Sequence, residues 1–339
     1  MTYFVGIDPA SESLMASVFT TPDHPLIGPR KFTNDPEGIA ALRDWLSEEN
    51  VPEDQVLVCV ENTGVYSETL CYELHRLGLD LVLLDPHAVW KAFDEEPKTD
   101  ALDSQRIAGY GYRYQDRLEL WTPNEVVVER VQTLLTTREQ LVEQKTAAQN
   151  ARQSLRHKPV QTPAANETLE ETIAHLADQI EALEQAIRDL IDEHPRMAQM
   201  VAIVTSAPGA RLLLGAHMLV LTNGFTEEPQ YRKLAAYLGI CPNAHQSGKR
   251  KKTPTSRGYG PSMIRKLLHL AARSVRTHTD RFRAYFHRKR AEGKPKLLVF
   301  NNIANKLLRI LCGMIKNKQP YIEDYQSIHP KRLQAGTRS

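Results

Sequence analysis

Apolar positions change their period along this chain, and each change marks a region. An apolar run from Tyr3 to Ile7 ends at Asp8, and after Pro9-Ala10-Ser11-Glu12-Ser13 a second β-rich run, Leu14 to Thr20, predicts a hairpin. A third strand is expected near Lys31 to Thr33, and Asp35-Pro36-Glu37 then opens a helix through Ala40, Leu42, Trp45 and Leu46. Gln55 to Val60 is apolar at nearly every position, as a strand covered on both faces must be, and it ends at Glu61. A helix carrying Tyr66, Leu70, Leu74 and Leu77, a buried strand from Leu81 to Leu84, and a short helix from Pro86 with Trp90 and Phe93 follow. The stretch from Lys98 to Ala108 again reads as helix.

Helical spacing then takes over. From about Pro123 to Arg156 the apolar side holds Val127, Val131, Leu134, Leu135, Leu141 and Val142. After Pro159 and Pro163 a return helix carries Leu169, Ile173, Leu176, Ile180, Leu183, Ile187 and Leu190, spaced alternately four and three, which is an a/d seam. The short connection fits an antiparallel hairpin, and the same seam would serve a coiled coil between subunits. Past His194-Pro195, the segment Met200 to Ala210 leads through Pro208-Gly209 into an apolar helix, Leu212 to Leu221. Its turn amides could hold a phosphate at a helix N-terminus, or the turn is a plain helical corner; Arg211 stands where a second glycine would favour the first. A helix from Tyr231 to Ile240, a long loop from Asn243 to Gly260, and helices over Ser262 to His287 and Leu297 to Ile315 complete the pattern. The fold class expected is α/β plus all-α.

Charge sharpens the division. The net charge is +2, yet Tyr231 to Pro320 holds 22 Lys and Arg against 2 acidic residues, leaving the rest strongly acidic. A basic third on an acidic body is the footprint of a polyanion-binding surface. Cys59, Cys71, Cys241 and Cys312 stand far apart with no C-x-x-C pair, so neither a zinc site nor a disulfide framework is indicated. With no signal-like N-terminus and no apolar run of about eighteen residues, a reduced, soluble, intracellular protein without membrane contact is expected.

Two stretches carry candidate chemistry. In Asp100-Ala101-Leu102-Asp103 the carboxylates lie three residues apart on one helix face. They are either a solvated acidic face or hard oxygen ligands for Mg2+ or Mn2+. Asp8 and Glu61 end two strands, and ligand sites of open α/β sheets lie at such ends. If those strands are neighbours, the four acids fit an RNase H-like site holding two magnesium ions for phosphodiester cleavage. In the long loop, Ser247-Gly248 precedes Lys249-Arg250-Lys251-Lys252, and Ser256-Arg257 follows. A hydroxyl ringed by cations could attack a phosphate, or the serines could merely hydrogen-bond to one. Arg265, Lys266, Arg273, Arg276, Arg281 and Arg283 are available for further phosphate contacts.

Gly6-Ile7-Asp8, Glu61-Asn62-Thr63-Gly64, Lys98-Thr99-Asp100-Ala101-Leu102-Asp103, Pro208-Gly209, and Leu234 to Pro242 followed by Ser247-Gly248 together make the chain resemble DEDD transposases of the insertion-sequence one-ten family over nearly its full length. That resemblance implies a RuvC-like, RNase H-like domain over 1–122, a coiled-coil hairpin over 123–195, a mainly helical transposase domain over 196–325 and a tail over 326–339. It makes Asp8, Glu61, Asp100 and Asp103 the magnesium tetrad, Ser247 the nucleophile with Ser256 second, and Lys249, Arg250, Lys251, Lys252, Arg257, Arg265, Lys266 and Arg273 nucleic-acid contacts. It further implies a prokaryotic, nucleoid-associated cytoplasmic recombinase. A structured non-coding guide RNA would pair with donor and target DNA, and the protein would act as a homo-oligomer, a dimer becoming a tetramer in the synaptic complex. A RuvC-like junction nuclease would need the acids without Ser247, and a non-catalytic RNA- or DNA-binding protein would need neither.

Overall fold

The computed structural model describes residues 2–21, 24–93, 99–243, 246–247, 250–251, 255–256 and 260–323, with backbone pairing alone for the short segments between 242 and 256. Lys98, Gly248, Lys249, Lys252, Arg257 and the 326–339 tail lie outside the described residues. Two compact units are present, Met1–Pro123 and Asn124–Ser339.

The first unit runs β1 (Tyr3–Pro9), β2 (Ser13–Phe19), β3 (Pro25–Thr33), α1 (Pro36–Glu48), β4 (Val56–Glu61), α2 (Val65–Arg76), β5 (Asp80–Leu84), α3 (Pro86–Ala92) and α4 (Asp100–Arg113). Its sheet has the order β3-β2-β1-β4-β5, antiparallel through the first three strands and parallel from β1 to β4 to β5. That order and those directions are the RNase H-like fold. The third strand begins six residues before the predicted Lys31 because it is an edge strand, mostly exposed, and lacks the apolar run that marks a covered one.

Strand alternation sends Val5, Ile7, Val58 and Val60 to one face, where Ile39, Leu42, Leu70 and Leu74 of α1 and α2 cover them. Phe4, Cys59, Val82 and Leu84 face the other way, under Ile107 and Ala108 of α4. Here the approach is close. A Cβ on Gly6 would lie 2.2 Å from the Ser104 carbonyl oxygen and 2.3 Å from the Ala108 nitrogen. One on Gly111 would lie 2.3 Å from the Cys59 sulfur, so helix and sheet are fitted through glycine on both sides.

In the second unit come α5 (Val126–Arg156), α6 (Pro163–Asp192), α7 (Pro195–Thr205), α8 (Leu212–Leu221), α9 (Tyr231–Tyr237), β6 (Pro242–Asn243), β7 (Gln246–Ser247), β8 (Arg250–Lys251), β9 (Thr255–Ser256), α10 (Ser262–His278), α11 (Asp280–Ala291) and α12 (Lys296–Asn317). The hairpin reading of the seam holds: α5 and α6 pack along each other within one chain. At their base Val127, Val128, Val131, Leu135, Ile187 and Ile191 share a core with Met197 and Val201 of α7 and Ala216 and Leu219 of α8. Farther out Leu169 and Ile173 are only half-buried, and ion pairs Arg138–Glu184 and Arg152–Glu170 bridge the two helices.

Three details depart from the sequence pattern. The single helix expected over Ser262 to His287 is two, because Thr279 takes extended backbone, closing α10 and opening α11. Part of the long loop is paired: β6 runs antiparallel to β9, and β7 to β8 within it, a short two-step ribbon. At the Pro208-Gly209 turn, Gly209 has φ +78 and a Cβ there would lie 2.9 Å from the Ala271 carbonyl of α10, so close packing accounts for this glycine. α12 is long and apolar enough to cross a membrane, but its Val299, Ile303, Leu307, Leu308 and Leu311 are core residues packed against α10.

A half-buried polar contact ties the hairpin to α8. His217 Nε2 lies 3.4 Å from Glu139 Oε1 with its side chain 13% exposed. Burial, aided by the Arg138 charge, pushes the imidazole down to about 4, so near neutrality the contact joins a neutral ring to a carboxylate, itself held above its usual range by burial.

Two predictions follow from this packing. Gly6→Ala, which drives a methyl into the backbone of α4, should lower unfolding free energy by about 3 kcal/mol in urea titrations, the upper end for overpacking; an unchanged midpoint would refute the close fit. For His217 the folded ring binds its proton less readily than the unfolded one, so stability is intact above about pH 6.5 and is lost as pH falls toward 4. The loss approaches about 3 kcal/mol before the opposing contribution of Glu139, and His217→Gln should flatten melting temperature between pH 6.5 and 4.

Candidate active site

α4 organises the first unit's acidic edge. Its middle crosses β1 at Gly6, its buried Ser104 hydroxyl lies 2.8 Å from the Ser17 hydroxyl of β2, and its last turn sets Tyr112 edge-on to Phe4. Ser104 Oγ donates to the Ala101 carbonyl at 2.9 Å, which leaves Ser17 to donate to Ser104. The helix therefore runs against the direction of β1. Its C-terminal end lies over the start of the strand, and its N-terminal end, with Asp100 and Asp103, reaches toward the strand's carboxyl end, where Asp8 stands.

The sheet register brings the other two acids together. Ile7 pairs with Val60 across parallel β1 and β4, so one step on, Asp8 and Glu61 occupy neighbouring positions about 4.8 Å apart in backbone spacing. Alternation from Gly6 and Cys59, both of which meet α4, puts Asp8 and Glu61 on the α4 side of the sheet as well. Asp8 and Glu61 thus lie on the sheet face that α4 covers, at the strand ends toward which its first turn runs; Asp8, Glu61 and Asp103 are half-buried and Asp100 is exposed.

Neighbouring loops pin those strand ends. Thr63 Oγ1 donates to the Pro9 carbonyl at 3.2 Å, and Asn34 Nδ2 donates to the Ala10 carbonyl at 2.7 Å and the Tyr66 carbonyl at 2.9 Å. Thr99 caps α4 by accepting from the Leu102 amide, and the helix dipole favours Asp100 and Asp103 in the first turn. Asp103 accepts a hydrogen bond of 2.9 Å from Arg106 one turn on, with the two side chains 14% and 11% exposed. Sequence reading missed Ser17, Thr63, Asn34 and Arg106. Only Thr63, inside the Glu61-Asn62-Thr63-Gly64 run, had a local signal.

Oxygen donors of this kind suit Mg2+ or Mn2+. Among the described residues no three His, Cys, Asp or Glu side chains stand close enough to share one ion, and Asp103 uses Arg106 as its counter-charge. The chemistry of the donor set fits a divalent cation.

In the second unit the ribbon places Ser247 opposite Arg250 on β7–β8, and Ser256 opposite Pro242 on β6–β9. The candidate serines are thus on different ladders, Ser247 on the one whose strands lie between those of the other in sequence. The ribbon's stem is fixed. Asn301 and Asn305 of α12 both donate to the Ile240 carbonyl, at 3.0 and 3.3 Å, and Arg265 donates to the Leu238 carbonyl at 3.2 Å. Gly260, at φ +90, passes so near Tyr237 that a Cβ would lie 1.9 Å from its carbonyl oxygen. Lys266 and Arg273 are exposed on α10, Arg265 is half-buried on its carbonyl, and Arg283 donates to the Thr277 carbonyl at 2.7 Å and pairs with Asp280 at 3.0 Å.

Titrating magnesium against the protein tests the acid edge. A bound ion at ten times its Kd should stabilise the fold by about 1.4 kcal/mol, read as a higher melting temperature. Asp8→Asn should abolish the rise; a rise equal in native protein and Asp8→Asn would place the ion elsewhere.

Two family models match the sequence: a transposase model of the DEDD IS110 type over residues 5–157, and one described as Transposase IS116/IS110/IS902 family over residues 201–287. The pilin gene-inverting protein of Moraxella lacunata is 26% identical over 327 residues, covering 94% of this chain and 97% of that protein. Its Moraxella bovis counterpart is 25% identical over the same shares. An insertion element IS900 42 kDa protein of Mycobacterium paratuberculosis is 30% identical over 133 residues, 33% of its own length. Among solved structures, T. thermophilus RuvC in complex with Holliday junction substrate is matched over 36% of this chain and 100% of that chain, at 15% identity and a TM-score of 0.28. The sheet order and strand directions, not this last likeness, assign the fold.

Proposed function

Since the chain belongs to the IS110 family of DEDD transposases, enzymes that recombine DNA, we propose that it cuts and rejoins DNA through Ser247 with a DEDD cation site formed by Asp8, Glu61, Asp100 and Asp103, directed by a structured non-coding RNA. The observation that carries the acid half is the glycine-fitted crossing of α4 over β1, which brings its first-turn acids toward the strand ends bearing Asp8 and Glu61. A divalent cation held there would polarise a phosphate oxygen and offset charge developing on the reacting phosphate.

Ser247 supplies the nucleophile in this reading. Its Oγ attacks phosphorus and gives up its proton, the P–O bond to the neighbouring deoxyribose breaks, and the leaving hydroxyl takes a proton. A DNA hydroxyl attacking the phosphoserine reverses these steps on a new strand. Bond energy is conserved in the protein–DNA ester, so no high-energy cofactor is consumed. Support for Ser247 over Ser256 comes from its family-like Ser-Gly context and its register on the β7–β8 ladder, with Arg250 paired opposite and Lys249, Lys251 and Lys252 close in sequence. Recognition by RNA pairing rests on the family resemblance and is supported by the basic C-terminal third, whose Lys and Arg suit two nucleic-acid backbones. The pilin gene-inverting relatives are matched end to end, which supports strand inversion or insertion as the outcome.

End-labelled element-junction DNA, incubated with protein, magnesium and flanking non-coding RNA, should yield a covalent adduct on a denaturing gel. Ser247→Ala should lose the adduct, Asp103→Ala should reduce it by at least about 100-fold, and Ser256→Ala should keep it. Free cleaved ends persisting in Ser247→Ala would make this a metal-dependent nuclease.

A further inference from the structure

One group of cations on the second unit is left unused by the acid edge, the ribbon and the exposed face of α10. On α11, Arg281, Tyr285 and Arg288 form a stripe at i, i+4 and i+7, and on α12 Lys306 and Arg309 are one turn apart. The two stripes meet. Lys306 Nζ sits 4.7 Å from the Tyr285 ring centre, the Arg288 guanidinium sits 5.5 Å from the same ring, and the Arg309 guanidinium sits 5.9 Å from the Tyr231 ring. Tyr231 is itself hydrogen-bonded to Asn305 of α12, and both rings pack against the core of this unit.

Other basic side chains of this unit pair with acids: Arg196 with Glu125 and Lys316 with Glu228, and on α11 itself Lys289 with Glu292. Among the described residues Arg281, Lys306 and Arg309 have no carboxylate partner, and Arg288 has only Glu292 at 3.9 Å. Burial, with repulsion from Arg281, Arg288, Arg309 and Lys289, holds the Lys306 ammonium below its usual range. Such crowding costs stability in the free protein, and a polyanion would relieve it. Because Lys306 and Arg288 both lie over Tyr285, that ring steadies cations and is not offered for base stacking. The surface therefore suits a sugar–phosphate backbone more than exposed bases. Arg281 and Arg288 are separated by a rise of about 10 Å along α11, roughly three base steps of one strand.

We propose that the α11–α12 face is a phosphate clamp in which Arg281, Arg288, Lys306 and Arg309 grip one strand of duplex DNA, independently of the Ser247 ribbon. It rests on the chain's membership of a DNA-transposing family, and not on the serine or the acids. Binding is therefore measured without chemistry, in EDTA, by fluorescence anisotropy of a labelled duplex of about 30 base pairs across a series of salt concentrations. Removing the α12 pair in Lys306→Gln/Arg309→Gln should lower the slope of log affinity against log salt by about two, one per lost cation. The α11 pair, Arg281→Gln/Arg288→Gln, should do the same, so the test survives if either variant folds poorly by circular dichroism. Lys316→Gln, which removes a lysine already paired, should leave the slope at the native value. Slopes equal to native in both pairs would overturn the clamp, as would a loss confined to a single-stranded RNA probe. Adduct formation failing in native protein would leave this binding result untouched.

Discussion

The first unit depends on a steric constraint at Gly6. Helix and strand approach there until the Ser104 carbonyl and the Ala108 nitrogen occupy the volume of a side chain. A sheet and a helix usually keep their distance because each residue between them carries a Cβ. Glycine at 6 in the sheet and at 111 in the helix removes two of them, and the Ser17–Ser104 hydrogen bond fixes where along the helix the contact falls. The direction of α4 follows from these three contacts. So does the position of its first turn, beyond the strand end, where two further acids wait on adjacent parallel strands.

Concentrating carboxylates in this way is unfavourable until something neutralises them, and the fold offsets the cost locally. The dipole of α4 favours Asp100 and Asp103, and Arg106 engages Asp103 directly. Side chains that pin the strand ends, Thr63 and Asn34, hold backbone carbonyls and leave the carboxylates to their own partners. The second unit shows the inverse arrangement. Its basic residues outnumber acids about tenfold between Tyr231 and Pro320. Within that stretch Arg283, Arg288 and Lys289 pair with acids at the ends of α11 and Lys316 pairs with Glu228, while Lys306 and Arg309 of α12 sit over tyrosine rings. Each unit thus carries a net charge of one sign, acidic in the first and basic in the second.

Much of this was legible along the chain. Covered strands and amphipathic helices announce themselves by period, so β1, β2, β4, β5, the long hairpin and α12 were readable, and Asp8 and Glu61 stood out as acids ending apolar runs. Edge strand β3 was half-hidden because exposure removes the apolar signal, and the break at Thr279 was missed because a single extended residue barely disturbs a helical period. The local sequence also determined the seam of α6 and the charge division, since both are sums over neighbours in the chain. What only the tertiary structure decided are the long-range choices: that β1 and β4 are adjacent and parallel, that α4 crosses them through Gly6 and Gly111, and that cations on separate helices converge over Tyr285. Their physical reason is shared. Each depends on atoms that meet across tens to hundreds of sequence positions, where steric fit and unpaired charge act through space and leave no periodic trace in the order of residues.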